Sequence, residues 1–231
     1  MFVAISQRNE KSEFSDYRDS LENNYINYYE CFGIKLIPIP NSSNNVKNYF
    51  EELPIKGIIL TGGGDVNPNL YNQEPKYATN FSRLRDDTEK SLLEIALEKN
   101  LPVFCNCRGM QFMNVFFGGS LIQDIKLELN TKIDHLKPHY VKIIDNKVYE
   151  FLKERRFMVN SYHNQGLTLE NLSKELKTFA ISESDSVIEG VYHPNYPIAG
   201  LQWHTERRSL DRNIDEKLVE AFIKRKLFWQ K

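Results

Sequence analysis

The stretch that decides the fold is Pro-Val-Phe-Cys-Asn-Cys-Arg-Gly-Met-Gln-Phe-Met-Asn-Val-Phe-Phe-Gly-Gly, residues 102–119. Its first part is short, apolar and rich in strand formers. Its second part carries Met110, Met113, Val115, Phe116 and Phe117 at helix-like recurrence and closes on Gly118 and Gly119. The pattern predicts a buried strand, a sharp turn and a helix. Cys107 falls at the turn, where a side chain leaves the carboxyl end of a strand and meets the unpaired N–H groups of a helix start. Thiolate is the nucleophilic form of cysteine, and helix amino termini favour it. One reading is therefore a nucleophile elbow with cysteine in place of serine. The other is a small buried hydrophobe, a common fate of free cysteine. Position alone does not choose between them.

Working outward, residues 2–6 read as a first buried strand and 7–15 as a polar loop at its carboxyl end. From Ser15 or Asp16 to Cys31, Tyr17, Leu21, Tyr25, Tyr28 and Tyr29 recur at helical spacing, with Gly33 as the stop. Residues 35–39 form a strand, 41–45 a loop, 46–53 a short helix and 57–60 a third strand. The last runs into Thr61-Gly62-Gly63-Gly64-Asp65. Residues 67–82 lack periodicity, and loops of that length are often functional. An amphipathic helix runs from Asp86 or Asp87 to Lys99. The alternation of strand and helix predicts a doubly wound, mostly parallel α/β sheet with helices on both faces. The second half offers strands at 140–144, 187–192 and 198–203, a short helix at 171–176 and a closing helix at 215–228. No linker or repeat divides the chain, so a single domain over 1–231 is expected.

The 231 residues are 41% hydrophobic and 26% charged, with net charge −1. Such a chain can bury a sizeable core and carries no global field favouring nucleic acid or membrane. Three cysteines make no disulfide framework. With no signal-like start and no spanning apolar run, the expected location is cytoplasmic.

A cysteine nucleophile needs a base. Of five histidines, His204 follows the strand at 198–203, and Glu206 lies two residues on, within reach to orient an imidazole. Cys107, His204 and Glu206 can make a nucleophile, base and orienter; an ordinary surface His-x-Glu pair is the simpler reading of the spacing. Gly62, Gly63 and Gly64 can expose N–H groups to an oxyanion, with the Arg108 N–H as second donor; a plain glycine turn is the alternative. No nucleotide-cradling pattern is complete. The cysteines and histidines show no paired zinc spacing, so neither metal nor cofactor is expected. Arg207, Arg208 and Arg212 read as a solvated face, or as a contact for a substrate phosphate near His204.

Six pieces then fall in one order along the chain: Leu60-Thr-Gly-Gly-Gly-Asp-Val-Asn-Pro68; Arg85-Asp86 with Glu89; Cys107-Arg-Gly-Met-Gln111; Gly118-Gly-Ser-Leu121 with Gln123-Asp124; Val159-Asn-Ser-Tyr-His-Asn-Gln165; and Gly200-Leu-Gln-Trp-His-Thr-Glu206. Together they resemble the class I glutamine amidotransferase-like superfamily, and within it the gamma-glutamyl hydrolase family that includes gamma-glutamyl-GABA hydrolases. The resemblance implies a flavodoxin-like core and attack by Cys107 on a gamma-glutamyl amide, followed by hydrolysis of a gamma-glutamyl thioester. It implies His204 as base, Glu206 as its orienter, and Gly63 and Arg108 as backbone oxyanion donors. It places Gly64, Gln111, Ser161, Tyr162 and His163 around the glutamyl moiety. Three departures stand out: Cys105 where the family has Gly, Thr205 where it has Pro, and Thr61 at the start of the glycine loop. Residues 5–8 resemble hydrolases of gamma-glutamyl-CDP-amidate, and Arg8, at the carboxyl end of the first strand, is placed to hold a leaving group larger than ammonia. Gamma-glutamyl-GABA is the other candidate substrate. The expected partner is a small-molecule gamma-glutamyl substrate, with no nucleic acid and no membrane. A homodimer stays open, and a synthetase partner enters only if the chain is instead an ammonia-donating glutaminase.

Overall fold

The computed structural model describes residues 1–41, 45–207 and 210–225. In chain order, β1 (Phe2–Ile5) leads into a hairpin of β2 (Arg8–Lys11) and β3 (Tyr17–Ser20). Then follow α1 (Asn23–Glu30), β4 (Lys35–Pro38), α2 (Val46–Glu52) and β5 (Ile55–Leu60). After a long connection come α3 (Arg83–Lys99), β6 (Val103–Asn106) and α4 (Arg108–Phe116). The second half holds α5 (Ile125–Glu128), β7 (His139–Ile143), α6 (Asn146–Leu152), β8 (Arg156–Val159), β9 (Lys177–Ser182), β10 (Ile188–Tyr192), β11 (Ile198–Leu201) and α7 (Arg212–Ile223).

Nine strands form one sheet in the order β4-β1-β5-β6-β11-β10-β9-β7-β8. Its first five strands are mutually parallel, and the remaining four join by antiparallel pairing. Because neighbouring side chains on a strand point to opposite faces, each strand feeds two cores. Val3, Ile5, Ile59 and Phe104 enter one core, under α1, α6 and α7. Ala4, Ile58, Leu60 and Cys105 enter the other, under α2, α3 and α4. Strands buried on both faces explain the unbroken apolar runs, and helices on both faces match the expected doubly wound layout. Parallel strands share one direction, so the carboxyl ends of β1, β5, β6 and β11 gather at one edge. Ligands bind at such edges.

Five expectations change. Residues 7–15 are no simple loop, and the first helix does not start at Ser15 or Asp16. Arg8 pairs with Ser20 and Lys11 with Tyr17 in the β2–β3 hairpin. Asn9 donates to Asp19 and Ser20 to Glu10. Tyr17 is 62% exposed, so its helical spacing marks no buried face. The helix before 99 begins a turn earlier than expected, because the Ser82 hydroxyl caps it by accepting from the Arg85 N–H. Residues 171–176 are turns rather than a helix; the Asn171 side chain accepts from the Thr168 hydroxyl and donates to that of Ser120. Within 67–82 one 3-10 turn forms, Pro68–Tyr71, started by the Asn67 side chain. Elements α6, β8 and β9 carry no expectation from sequence. The predicted loop at 41–45 and closing helix to 228 run partly onto residues 42–44 and 226–228, outside the described residues, as does Arg208. Among the described residues no helix is long and apolar enough to cross a membrane.

Candidate active site

Strand β6 ends at Asn106, and Cys107 turns the chain into α4 with φ 52° and ψ −110°. A non-glycine residue with positive φ is uncommon, and such strain collects at functional sites. The turn is over-determined. The Cys107 N–H donates to the Leu201 carbonyl at 2.7 Å, while its own carbonyl accepts from Met110 and Gln111. Gly109 is required by close approach: a Cβ there would stand 2.6 Å from the Leu60 carbonyl oxygen. The elbow predicted from residues 102–119 thus forms, with α4 pressed onto β5.

His204 leaves the end of β11 and is buried. Its Nδ1 lies 2.6 Å from Glu206 Oε1. The Asn160 side chain clamps the same peptide, donating to the His204 carbonyl at 2.8 Å and accepting from its N–H at 2.9 Å. A Cβ built on Gly62 would fall 2.5 Å from His204 Cε1 and 3.3 Å from Cys107 Cβ. Thiol, imidazole and glycine loop therefore meet at one point. Burial depresses the His204 imidazolium, but the facing Glu206 carboxylate and Cys107 outweigh it and lift the pKa to about 10. Thr205, between His204 and Glu206, sits with its hydroxyl near Tyr29 and Asn106.

The glycine loop is held from behind. Arg85 donates to the carbonyls of Gly63 at 2.5 Å, Thr61 at 2.7 Å and Gly62 at 3.2 Å. Glu89 receives Arg85 Nε at 2.9 Å and also pairs with Arg108, whose other branch pairs with Asp86. All four side chains are buried. Gly63 takes φ 87°, and a Cβ there would strike the Arg8 guanidinium. The Arg108 side chain works behind the loop, on Asp65, Asp86 and Glu89. Arg85, Asp86 and Glu89 stand out in the sequence as a motif, but this clamp and that of Asn160 join residues too far apart for spacing to reveal.

A cleft of about 300 Å³ collects Cys107, His204, Gly63, Gly64, Gln111 and Tyr162, together with His163, Arg8 and Arg207. Gln111 Nε2 donates to the Gln165 carbonyl at 2.8 Å, fixing it to the cleft wall. Tyr162 is half exposed and stands edge-on to His204, with Arg207 over its ring at 4.5 Å. Arg8 and Arg207 both pair with Glu22. Ser161 is buried, with its hydroxyl given to the His135 carbonyl, and does not line this cleft. Cys105 lies in the core under α4, its Sγ 3.9 Å from Met113 Sδ; burial pushes its thiol pKa well up. It is a core residue.

The fold also gathers His135, His163 and Glu189, all buried, with their ligating atoms within 4.8 Å of one another. Spacing along the chain could not reveal this, since the three come from different segments.

A Peptidase C26 family profile matches residues 2–206. A glutamine amidotransferase-like protein of Lactococcus lactis is 32% identical, covering 86% of this chain and 85% of its own. The gamma-glutamyl-CDP-amidate hydrolase of Campylobacter jejuni is 28% identical over 93% and 94%. The gamma-glutamyl-gamma-aminobutyrate hydrolase of Escherichia coli K12 is 30% identical over 88% and 85%. Among solved structures, the glutaminase domain of Trypanosoma brucei CTPS with bound acivicin superposes with a TM-score of 0.64 over 97% of this chain and 94% of that one, at 15% identity. That likeness places the sheet and its helices in the flavodoxin-like class I glutamine amidotransferase fold. Elbow, glycine loop and family match agree, and the chain belongs to the Peptidase C26 family of class I glutamine amidotransferase-like proteins.

Proposed function

We propose that this protein is a cysteine-dependent hydrolase of gamma-glutamyl amides with an anionic leaving amine. The observation that carries the reading is the strained Cys107 turn meeting the buried His204–Glu206 pair and the glycine loop at one point of the cleft. Cys107, as thiolate, attacks the gamma-carbonyl carbon. The carbonyl oxygen takes the negative charge and is held by the backbone N–H groups of Gly63 and Arg108. The imidazolium of His204 gives its proton to the departing amine as the C–N bond breaks, leaving a gamma-glutamyl thioester. Water then attacks with His204 as base, and the C–S bond breaks to release glutamate and the Cys107 thiol. Glu206 holds the imidazole and its charge without exchanging protons. Gly64, Gln111, Tyr162 and His163 surround the glutamyl group, and Ser161 supports that wall from behind.

The amine side rests on Arg8 and Arg207. Both already share Glu22, so an incoming phosphate or carboxylate competes with one carboxylate for two guanidinium groups. The two hydrolases named among the relatives act on amides whose amines carry such groups, which makes gamma-glutamyl-CDP-amidate and gamma-glutamyl-GABA the candidate substrates. The second reading, a glutaminase feeding ammonia to a synthetase, is favoured by the relatives named glutamine amidotransferase-like. Steady-state kinetics of the purified protein on glutamine, gamma-glutamyl-GABA and a gamma-glutamyl phosphoramidate separates the two. Preference for a substituted amide supports the hydrolase; glutamine turnover that requires an added synthetase supports the glutaminase.

A further inference from the structure

Behind the wall formed by residues 161–165, His163 meets two residues that the proposed reaction does not use, His135 and Glu189. His135 Nδ1 stands 3.6 Å from Glu189 Oε1, and His163 Nε2 stands 3.7 Å from the same oxygen. Neither nitrogen makes a hydrogen bond, nor does Glu189 Oε2, and all three residues are buried.

The outward-facing atoms fix the tautomer that each ring takes when neutral. His163 Nδ1 lies 2.9 Å from the Gln165 carbonyl, which can only accept, so Nδ1 carries the proton and Nε2 turns a lone pair inward. His135 Nε2 lies 2.9 Å from Asp185 Oδ2; an ionised Asp185 also only accepts, so Nδ1 turns its lone pair inward. Glu189 Oε1 already accepts from His139 Nε2 at 3.0 Å. With both rings neutral, two imidazole lone pairs and a carboxylate thus converge, and neither ring donates to the carboxylate. Left alone, that arrangement is repulsive, and burial makes unpaired polar atoms costly.

A cation resolves it. Two ligands of one tetrahedral zinc, each bound at about 2.0–2.1 Å, stand about 3.3–3.5 Å apart. The His–Glu separations of 3.6 and 3.7 Å need a small inward movement, and the two imidazole nitrogens, within 4.8 Å of each other, close around the ion by a side-chain shift of up to about an ångström. The surroundings match the outer shell of a metal centre: a carboxylate orients one imidazole, a backbone carbonyl the other, and a third imidazole donates to the ligating carboxylate. Access is present too, because His135 and His163 line a separate cavity of about 150 Å³ beside Asp134 and Asn164.

We propose that His135 Nδ1, His163 Nε2 and the Glu189 carboxylate form a site for a first-row divalent cation, with water in a fourth position. Two imidazoles and one carboxylate suit zinc. The ion ties β10 to the cleft wall: the Ser161 hydroxyl and His163 N–H both donate to the His135 carbonyl, and His163 lines the substrate cleft.

The test removes the cleft thiol first, so that the Cys107–His204 pair contributes no thiolate ligand. Chelator-stripped Cys107→Ala protein is titrated with Zn²⁺, and separately with Co²⁺. The expected result is about one equivalent of zinc bound at micromolar metal. The Co²⁺ form should show visible d–d bands of a four-coordinate site without thiolate charge-transfer absorption. Tm should rise by several degrees with metal, since the ion binds only the folded chain. Adding His135→Ala or Glu189→Gln should abolish the stoichiometric binding and the Tm response. No binding by the stripped protein overturns the site, and assigns the cluster to a trapped proton. Equal binding after either substitution overturns it as well. If both variants fail to fold, the titration of Cys107→Ala alone still decides, through its stoichiometry and the absence of sulfur ligation.

Discussion

Two thiols two residues apart share β6 and its turn, yet their surroundings differ. Cys105 points into the core under α4, where burial raises its pKa, whereas Cys107 sits at the strained turn beside His204. Cys107→Ala should therefore abolish turnover while the far-ultraviolet circular dichroism and Tm stay close to wild type. Cys105→Ala should retain most activity and lose at most about 1–2 kcal/mol of stability, the cost of a small cavity. The base pair makes a second prediction. The His204 pKa in the folded protein, about 10, lies above the unfolded value of about 6.5. Its charge thus contributes stability fully below about pH 6.5, and the contribution is lost as pH rises toward 10. In the proposed reaction the imidazolium is also the proton donor to the leaving amine, so kcat should hold on the alkaline side until His204 titrates. Glu206→Gln removes the facing carboxylate; it should bring the alkaline fall to lower pH and cost on the order of 10²–10⁴ in kcat. His204→Asn should cost more. Equal alkaline limbs in wild type and Glu206→Gln would reduce Glu206 to a structural carboxylate.

At the scale of elements, the strand–turn–helix over residues 102–119 was legible because its signals are local: an apolar run, a turn, then helical recurrence ended by glycine. The β2–β3 hairpin was not. Its pairing joins residues up to twelve positions apart, and Tyr17, Leu21 and Tyr25 imitate a helix face although Tyr17 is exposed. Strand β9 and helix α6 escaped for a related reason: β9 is stabilised by β10 and β7, so its neighbours in space, not its own pattern, make it a strand. The candidate site was legible as motifs, but the wiring behind it was not, since Arg85 reaches Thr61, Gly62 and Gly63 across more than twenty residues. That clamp carries its own prediction. Arg85→Lys keeps a charge for Glu89 but lacks the planar fork that engages several carbonyls. If the clamp holds the glycine loop in place for the oxyanion, kcat should fall by roughly 10–100-fold, a fraction of the loss expected for a missing oxyanion donor, with little change in KM. A lower Tm with unchanged kcat would limit Arg85 to stability.

For the whole molecule, the parallel half of the sheet supplies Cys107, His204 and the glycine loop from its carboxyl edge, and the hairpin and the loop after β11 bring Arg8 and Arg207 to the same cleft. The purified protein should accordingly turn over a substituted gamma-glutamyl amide in preference to glutamine without any synthetase. Arg8→Ala should raise KM several-fold for a gamma-glutamyl phosphoramidate and much less for glutamine; equal changes on both substrates would place Arg8 in the fold rather than in leaving-group binding. The most direct measurement is mass-spectrometric mapping of the covalent intermediate. Purified protein is mixed with a gamma-glutamyl amide, quenched in acid within the first turnovers, digested and sequenced by fragmentation, with a glutamine-like electrophile as a parallel label. A glutamyl adduct and the label should both fall on Cys107, and both should vanish in Cys107→Ala. Modification of Cys105 or Cys31 instead, or turnover that persists in Cys107→Ala, would contradict the proposed chemistry.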